Sequence, residues 1–100
     1  VEINSKLIGE RPCSDSVDEN VLTDMINKCV SAQEKYGECK VSCTSGSTDC
    51  NIPMSMGVPA VCAGTYDGHG SHTREEKVLI QSLPRGMRIT AEIVLGYFNN

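Results

Sequence analysis

Apolar residues recur at steps of three and four in two parts of the chain, the spacing that places side chains on one face of a helix. The first set comprises Val21, Leu22, Met25, Ile26, Cys29 and Val30. We predict a helix over residues 17–36, begun by a capping box of Ser16 and Glu19 and ended by Gly37. In the second set, Ser82 caps a C-terminal helix with an apolar stripe of Met87, Ala91, Val94 and Phe98, widened by Ile93 and Tyr97.

Other apolar positions follow the patterns of strands. Residues 1–8 alternate at their start and residues 39–43 alternate throughout, whereas residues 58–63 are continuously apolar, as in a strand covered on both faces. A short helix reaching about Met56 separates the last two segments, and residues 77–81 form a last short extended piece. Because the connection between residues 43 and 58 includes that helix, we predict parallel strands with a right-handed crossover in an α/β fold.

Length and charge limit the kinds of partner. A chain of 100 residues is one domain at most, and its net charge of −4 comes from charges of both signs without a basic stripe, so we expect no nucleic-acid partner. No apolar run approaches the roughly 20 residues of a membrane span, and there is no signal segment, so we expect no membrane partner and a cytoplasmic location. Because the first residue is Val1, we expect a piece of a longer protein.

The six cysteines leave two interpretations open. In a short secreted chain, an even number of cysteines suggests a disulfide framework. Here Cys29 lies on an apolar helical stripe, Cys43 alternates with Val41, and Cys62 lies in a predicted strand. A free thiol at such positions packs as a small hydrophobic group. We expect reduced, packed cysteines, and the redox state stays open.

His72 is the sharpest candidate for chemistry. It follows a predicted buried strand in a loop where Gly68 and Gly70 permit positive φ. A neutral imidazole there suits zinc if carboxylates complete the shell, and an exposed loop histidine is the alternative. The nearby His69 is expected to be exposed or outside the first coordination shell. Cys39, Cys43, His69 and His72 have the number of ligands for a self-contained zinc site, but thiols within a strand do not suit its geometry.

Four polar residues stand at the start of the short helix, namely Ser47, Thr48, Asp49 and Asn51. The free N–H groups and the dipole of a helix start favour an anionic group, such as a substrate carboxylate. Helix capping explains Ser47, Thr48 and Asp49 equally well. No serine lies in the sharp strand-to-helix turn of a catalytic triad.

Several blocks of sequence resemble the C-terminal end of one enzyme family. They are Ser-Thr-Asp-Cys-Asn-Ile-Pro, Met-Gly-Val-Pro-Ala-Val-Cys-Ala-Gly, Gly-Ser-His-Thr-Arg-Glu-Glu-Lys-Val and Ser-Leu-Pro-Arg-Gly, which begin at residues 47, 56, 70 and 82. The family is the di-zinc metallopeptidases of aminoacylase, carboxypeptidase G and peptidase T. Ile-Gly-Glu-Arg-Pro-Cys, at residues 8–13, is similar to the end of that family's lid domain.

The resemblance implies part of a three-layer α/β/α fold with a mostly parallel sheet. Residues 1–12 would end the lid domain, and residues 13–100 would form the C-terminal part of the catalytic domain. Family members hydrolyse peptide or N-acyl amide bonds with two zinc ions bridged by a carboxylate and a water. His72 would be the last metal ligand. Asn51 falls where some relatives place an arginine that meets the substrate carboxylate, although an asparagine brings no charge.

The family's other metal ligands have no counterpart here. Its early His-x-Asp motif, bridging Asp, Glu-Glu pair with the general base and further carboxylate ligand are absent, and one ligand cannot hold a di-zinc centre. We therefore expect an inactive C-terminal fragment whose partners are the missing N-terminal part of the same protein and a small peptide or acyl-amino-acid substrate. Exposed apolar surface would lead to self-association. The alternative is a self-contained, non-catalytic cysteine-rich module for metal binding or interaction.

Overall fold

The computed structural model describes residues 1–37 and 40–98, and it is mostly helical. Three helices are present in these residues: α1 at Glu19–Tyr36, α2 at Asn51–Ser55 and α3 at Leu83–Phe98. In the part of the chain described, none of them combines the length and apolarity needed to cross a membrane.

The sheet is one antiparallel pair of two-residue strands, β1 at Gly68–His69 and β2 at Lys77–Val78. A 3-10 turn at Ile80–Ser82 connects β2 to α3. The expected three-layer α/β/α fold with a mostly parallel sheet is therefore wrong. The predicted extended piece at residues 77–81 is extended only at its start.

Three segments predicted as strands form none in the described residues. They are residues 1–8, residues 58–63 and the described part of 39–43; Cys39 itself lies outside the described residues. An alternating or apolar pattern sets which side chains share a face, but a strand also needs a neighbour for its backbone hydrogen bonds. These segments have no ladder partner within residues 1–37 and 40–98, so the predicted parallel pair and crossover are wrong.

Helix α1 forms where its pattern predicts. Its N-cap is Asp18, whose Oδ1 accepts hydrogen bonds from the backbone N–H groups of Asn20 at 2.9 Å and Val21 at 3.2 Å. The predicted capping box begun by Ser16 is thus wrong. Asp18, two residues after Ser16, accepts the hydrogen bonds from the free N–H groups instead. Gly37 ends the helix as predicted, and its N–H donates to the Gln33 carbonyl at 2.8 Å.

Helix α3 packs against α1 through a face that the sequence pattern did not single out. Ile89 and Ala32 are 4% and 2% exposed, and Gly86 is also buried. By contrast, Met87, Val94 and Phe98 of the predicted stripe are 73%, 51% and 75% exposed. The buried side of α3 is therefore the one that carries Gly86 and Ile89.

Ser82 was predicted to cap α3, and this prediction is wrong. Its hydroxyl donates to the Leu79 carbonyl at 2.7 Å and accepts from the backbone N–H of Asp67 at 2.9 Å. The serine is only 3% exposed, and this paired use of its hydroxyl satisfies a buried polar group. Ser82 thereby connects the chain before β1 to the turn that begins α3.

The chain leaves much more surface exposed than a compact chain of its mass. Its accessible surface is 8499 Å², whereas a compact 10.8 kDa protein exposes about 5,500 Å². The radius of gyration is 17.0 Å, against about 13 Å for a compact domain of this length. The α1–α3 contact therefore provides only a small core, and large apolar side chains remain in contact with solvent.

Candidate functional site

Residues 70–76 connect β1 to β2 and include His72, and we call them the histidine loop. The strands pair with Gly68 opposite Val78 and His69 opposite Lys77. Thr73 organises the loop between them: its Oγ1 donates to the Gly70 carbonyl at 2.6 Å, and its N–H donates to the same oxygen at 3.0 Å. These two bonds close a tight turn around residues 71 and 72.

His72 has a left-handed backbone conformation at the tip of this turn. Its φ is 67°, and it is the one non-glycine residue with positive φ among residues 1–37 and 40–98. Such a conformation is uncommon for a residue with a Cβ atom and is favoured by glycine. The side chain is exposed, and its imidazole forms no hydrogen bond with the residues that the structure describes. The ring is therefore available to an external group.

The structure does not assemble a metal site around this ring. His69 lies on β1 and is exposed, and Cys43 is exposed in the chain before α2. Cys39, the fourth member of the possible Cys-Cys-His-His site, lies outside the described residues. Over residues 1–37 and 40–98, no three His, Cys, Asp or Glu side chains are grouped so that they could hold an ion. The described residues alone do not fit a zinc centre.

The predicted substrate-binding residues lie before and within α2. The N-cap of this helix is Cys50, which makes no side-chain capping bond, so the capping roles considered for Ser47 and Asp49 are not found. Thr48 is used instead within the turn: its Oγ1 accepts from the N–H of Cys50 at 3.2 Å. Ser47 and Asp49 are exposed.

Asn51 connects the start of α2 to the N-terminal segment. Its Oδ1 accepts from the N–H of Thr48 at 3.0 Å, and its Nδ2 donates to the Pro12 carbonyl at 2.9 Å. Nearby, Arg11 forms an exposed ion pair with Asp49 at 3.6 Å. The Asn51 amide retains one N–H for an external acceptor, because an amide nitrogen carries two.

An open groove of about 560 Å³ lies beside α1, and the sequence analysis did not find it. Thr48 and Asn51 are among the residues that line it, whereas His72 is not. Four thiols also line it, those of Cys13, Cys29, Cys43 and Cys62. The groove thus includes two of the predicted substrate-binding residues but not the predicted metal ligand. The sequence shows that cysteine recurs at positions 13, 29, 43 and 62, but it does not show that these positions line one groove.

The thiols differ in their surroundings. The five cysteines in the described residues are free, and Cys13, Cys43 and Cys62 are exposed, so the expected packing of Cys43 and Cys62 is wrong. Within residues 1–37 and 40–98, no neighbouring strand covers either of these two segments. Burial raises the pKa of the Cys29 thiol above its ordinary value by disfavouring the thiolate. Because the thiolate is the reactive form of a cysteine, this shift makes the Cys29 thiol less nucleophilic.

No family model, curated protein or solved structure matches this chain. The resemblance to di-zinc metallopeptidases therefore stays a prediction, carried by the sequence blocks alone.

Proposed function

We propose that this chain is the C-terminal part of a zinc-dependent exopeptidase or amidohydrolase, and that it contributes His72 to a metal centre completed by polypeptide outside it. The intact protein would hold two zinc ions and act on small peptides or N-acyl amino acids. The chain alone would be inactive, because no three potential metal ligands are grouped together in the described residues. The cytoplasmic location predicted from the sequence belongs to the same proposal.

The conformation of His72 is the observation that supports the proposal best. A left-handed φ of 67° costs free energy for a residue with a Cβ atom, and such strained residues cluster at functional sites. The loop fixes this conformation through the two hydrogen bonds of Thr73 to Gly70. The exposed imidazole has no hydrogen-bond partner in the described residues, so no hydrogen bond of the side chain offsets the cost of the conformation.

Asn51 supports a substrate role less directly. Its two hydrogen bonds hold the amide at the edge of the groove, and its remaining N–H can donate to a carboxylate. A neutral donor gives weaker and less specific binding of a carboxylate than a guanidinium does. Asn51 is therefore proposed as a minor contact, and Ser47, Thr48 and Asp49 as its neighbours in the same turn.

The test uses the gene with its natural coding sequence upstream of Val1. We expect that sequence to contain a His-x-Asp motif and a Glu-Glu pair. In the encoded protein, H72A should lose one zinc ion per chain and lower kcat/KM for an N-acetyl amino acid or a dipeptide by at least about 100-fold, since loss even of outer-shell partners costs 10- to 100-fold. H69A, on the strand β1 that leads into the loop, is the matched control and should retain both the zinc content and the activity of the wild type. Equal losses in the two variants, or an upstream sequence without these motifs, would contradict the proposal.

A second candidate function is a self-contained cysteine-rich module that binds zinc. The observation behind it is that four thiols line one groove, although no three of them are grouped closely enough in the described residues to hold an ion. Zinc titration of the reduced chain of 100 residues separates the two candidates, because a structural site binds one ion tightly and stoichiometrically. We expect only weak binding, unchanged in C43A. Tight binding of one ion that C43A abolishes would establish the module instead.

A further inference from the structure

The groove beside α1 is lined by two segments of the chain that form no strand in the described residues. One wall is formed by residues 41–46 and the other by residues 60–64, while Leu22, Ile26 and Val30 of α1 form an apolar floor. Each wall includes residues predicted as a strand, 41–43 in one and 60–63 in the other, and these form no strand among the described residues. We call this groove the strand slot.

The backbone of both walls is unpaired. Within residues 1–37 and 40–98, the backbone N–H and C=O groups of residues 41–46 and 60–63 form no hydrogen bond with protein groups. Such groups are strong donors and acceptors, and an extended segment laid between them pairs with both walls at once. The strand slot therefore fits an extended segment whose backbone groups face the two walls and whose apolar side chains face α1.

Residues 1–8 have the matching properties. Alternation in an extended segment gives one face that is apolar except for Ser5 and another that is polar except for Ile8. The first face carries Val1, Ile3 and Leu7, and the second carries Glu2, Asn4 and Lys6. The whole segment is exposed and lacks secondary structure; Ile3 is 86% exposed and Leu7 80%. An apolar face of this size in water is unfavourable, and the strand slot would cover it.

The start of the chain also has the right position. Cys13 and Ser14 line the strand slot, so residues 1–8 leave the fold at its edge. The path is anchored there, because Asn51 holds the Pro12 carbonyl at 2.9 Å and the N–H of Asp15 donates to the Met54 carbonyl at 3.2 Å. In this conformation the segment points into solvent instead of into its own slot, which leaves it free to enter the slot of another copy.

We propose that two copies of this chain form a dimer by exchanging residues 1–8, each copy placing this segment as a strand in the other's strand slot. The exchange is reciprocal, so the dimer is closed and has twofold symmetry. Val1, Ile3 and Leu7 then face α1, and Glu2, Asn4 and Lys6 face solvent. The exchange does not depend on metal chemistry at His72, and its failure leaves the proposed function standing.

The first test is the mass of the full chain by sedimentation equilibrium, under reducing conditions that exclude intermolecular disulfides. We expect about twice 10.8 kDa for the wild type. I3D places a charge on the inward face and should raise the dissociation constant at least tenfold. N4D adds the same charge on the outward face and should leave the dimer intact. Far-UV circular dichroism checks that the helices persist in both variants.

Complementation makes the test specific for exchange. V61D places a charge in the wall of the slot and should also be monomeric, with A60D as a second variant if V61D loses its helices. A 1:1 mixture of I3D and V61D should recover dimers, because the intact segment of V61D fits the intact slot of I3D. A monomeric wild type, equal dissociation constants for I3D and N4D, or a mixture that stays monomeric would each overturn the proposal. So would a dimer that is lost in V94D but kept in I3D, since the exposed face of α3 would then be the interface.

Discussion

Gly86 of α3 lies directly against the carbonyl oxygen of Thr65, and a Cβ atom at position 86 would overlap that oxygen. The Thr65 carbonyl carbon would be only 3.0 Å from the same atom. Because both partners in this contact are backbone, no side-chain rotation relieves the overlap. The approach of the chain before β1 to helix α3 therefore requires a glycine at this position.

The alanine variants of the two glycines in α3 should change stability in opposite directions. G86A should destabilise the chain by about 1–3 kcal/mol, because overpacking forces the backbone to shift. A Cβ atom at Gly96 meets nothing within 4 Å, so G96A should stabilise α3 by up to about 1 kcal/mol through helix propensity. Urea denaturation followed by circular dichroism measures both. Equal effects in the two variants would show that the Thr65 contact does not constrain α3.

The left-handed conformation of His72 can be tested by comparing glycine with alanine. Alanine keeps the Cβ atom that disfavours a φ of 67°, so H72G should be more stable than H72A by about 1 kcal/mol. The neighbouring Ser71, which has no positive φ, is the control. There S71G should be less stable than S71A by about 0.4–1 kcal/mol, because glycine increases the entropy of the unfolded chain. The same sign at both positions would contradict the conformation of His72.

Asn51 should matter for stability and Asp49 should not. N51A removes the bonds to Thr48 and Pro12, and at about 0.5–1.5 kcal/mol per bond we expect a loss of about 1–3 kcal/mol. The Asp49 side chain is fully exposed and its ion pair with Arg11 is long, so D49A should change stability by less than about 0.5 kcal/mol. N51A also frees the Pro12 carbonyl, close in sequence to the Asp15 N–H. Hydrogen exchange at the Asp15 N–H should therefore become faster in N51A but not in D49A. Unchanged exchange in N51A would mean that Asn51 does not anchor the segment.

The Lys35–Glu92 pair should make the α1–α3 contact depend on pH. Lys35 Nζ lies 3.0 Å from Glu92 Oε2. The Tyr36 hydroxyl and then the Lys35 ammonium hold the pKa of Glu92 below its ordinary value. Hydrogen bonding to Glu92 and then to Tyr36 raises the pKa of Lys35.

The signs of these two shifts fix the direction of the pH effect. The contribution of Glu92 is present above its ordinary pKa and is lost as the pH falls through its lowered pKa in the folded chain. The contribution of Lys35 is present below its ordinary pKa and is lost as the pH rises through its raised pKa. The stability difference between the wild type and E92Q should thus be largest near neutral pH and decrease toward both extremes. Urea midpoints at about pH 3, 7 and 11 measure it, and a difference independent of pH would contradict the pair.

The sequence pattern predicted the helices better than the strands, for a physical reason. A helix makes its hydrogen bonds within one segment, so the apolar period and Gly37 were enough to locate α1 and its end. The cap depended on which of several nearby oxygen atoms reaches the free N–H groups, and Asp18 did so instead of Ser16. A strand depends on a distant partner, which a local pattern such as residues 58–63 does not identify.

The candidate site was predictable only in its parts. The glycines flanking His69 pointed to a loop, and the structure adds the left-handed His72 and the Thr73 bonds that close its turn. The bond from Asn51 to Pro12 joins residues far apart in sequence, so no spacing rule could indicate it. The strand slot likewise arises from residues far apart in sequence, those of its two walls and of helix α1.

The small core sets how the isolated chain responds to heat and denaturant. Both the heat-capacity change of unfolding and the denaturant m-value grow with the surface newly exposed, and here much of that surface is already solvated in the folded chain. A monomer should therefore melt over a broad temperature range, with a shallow urea transition. Assembly that covers residues 1–8 would sharpen both transitions and make the melting temperature rise with protein concentration.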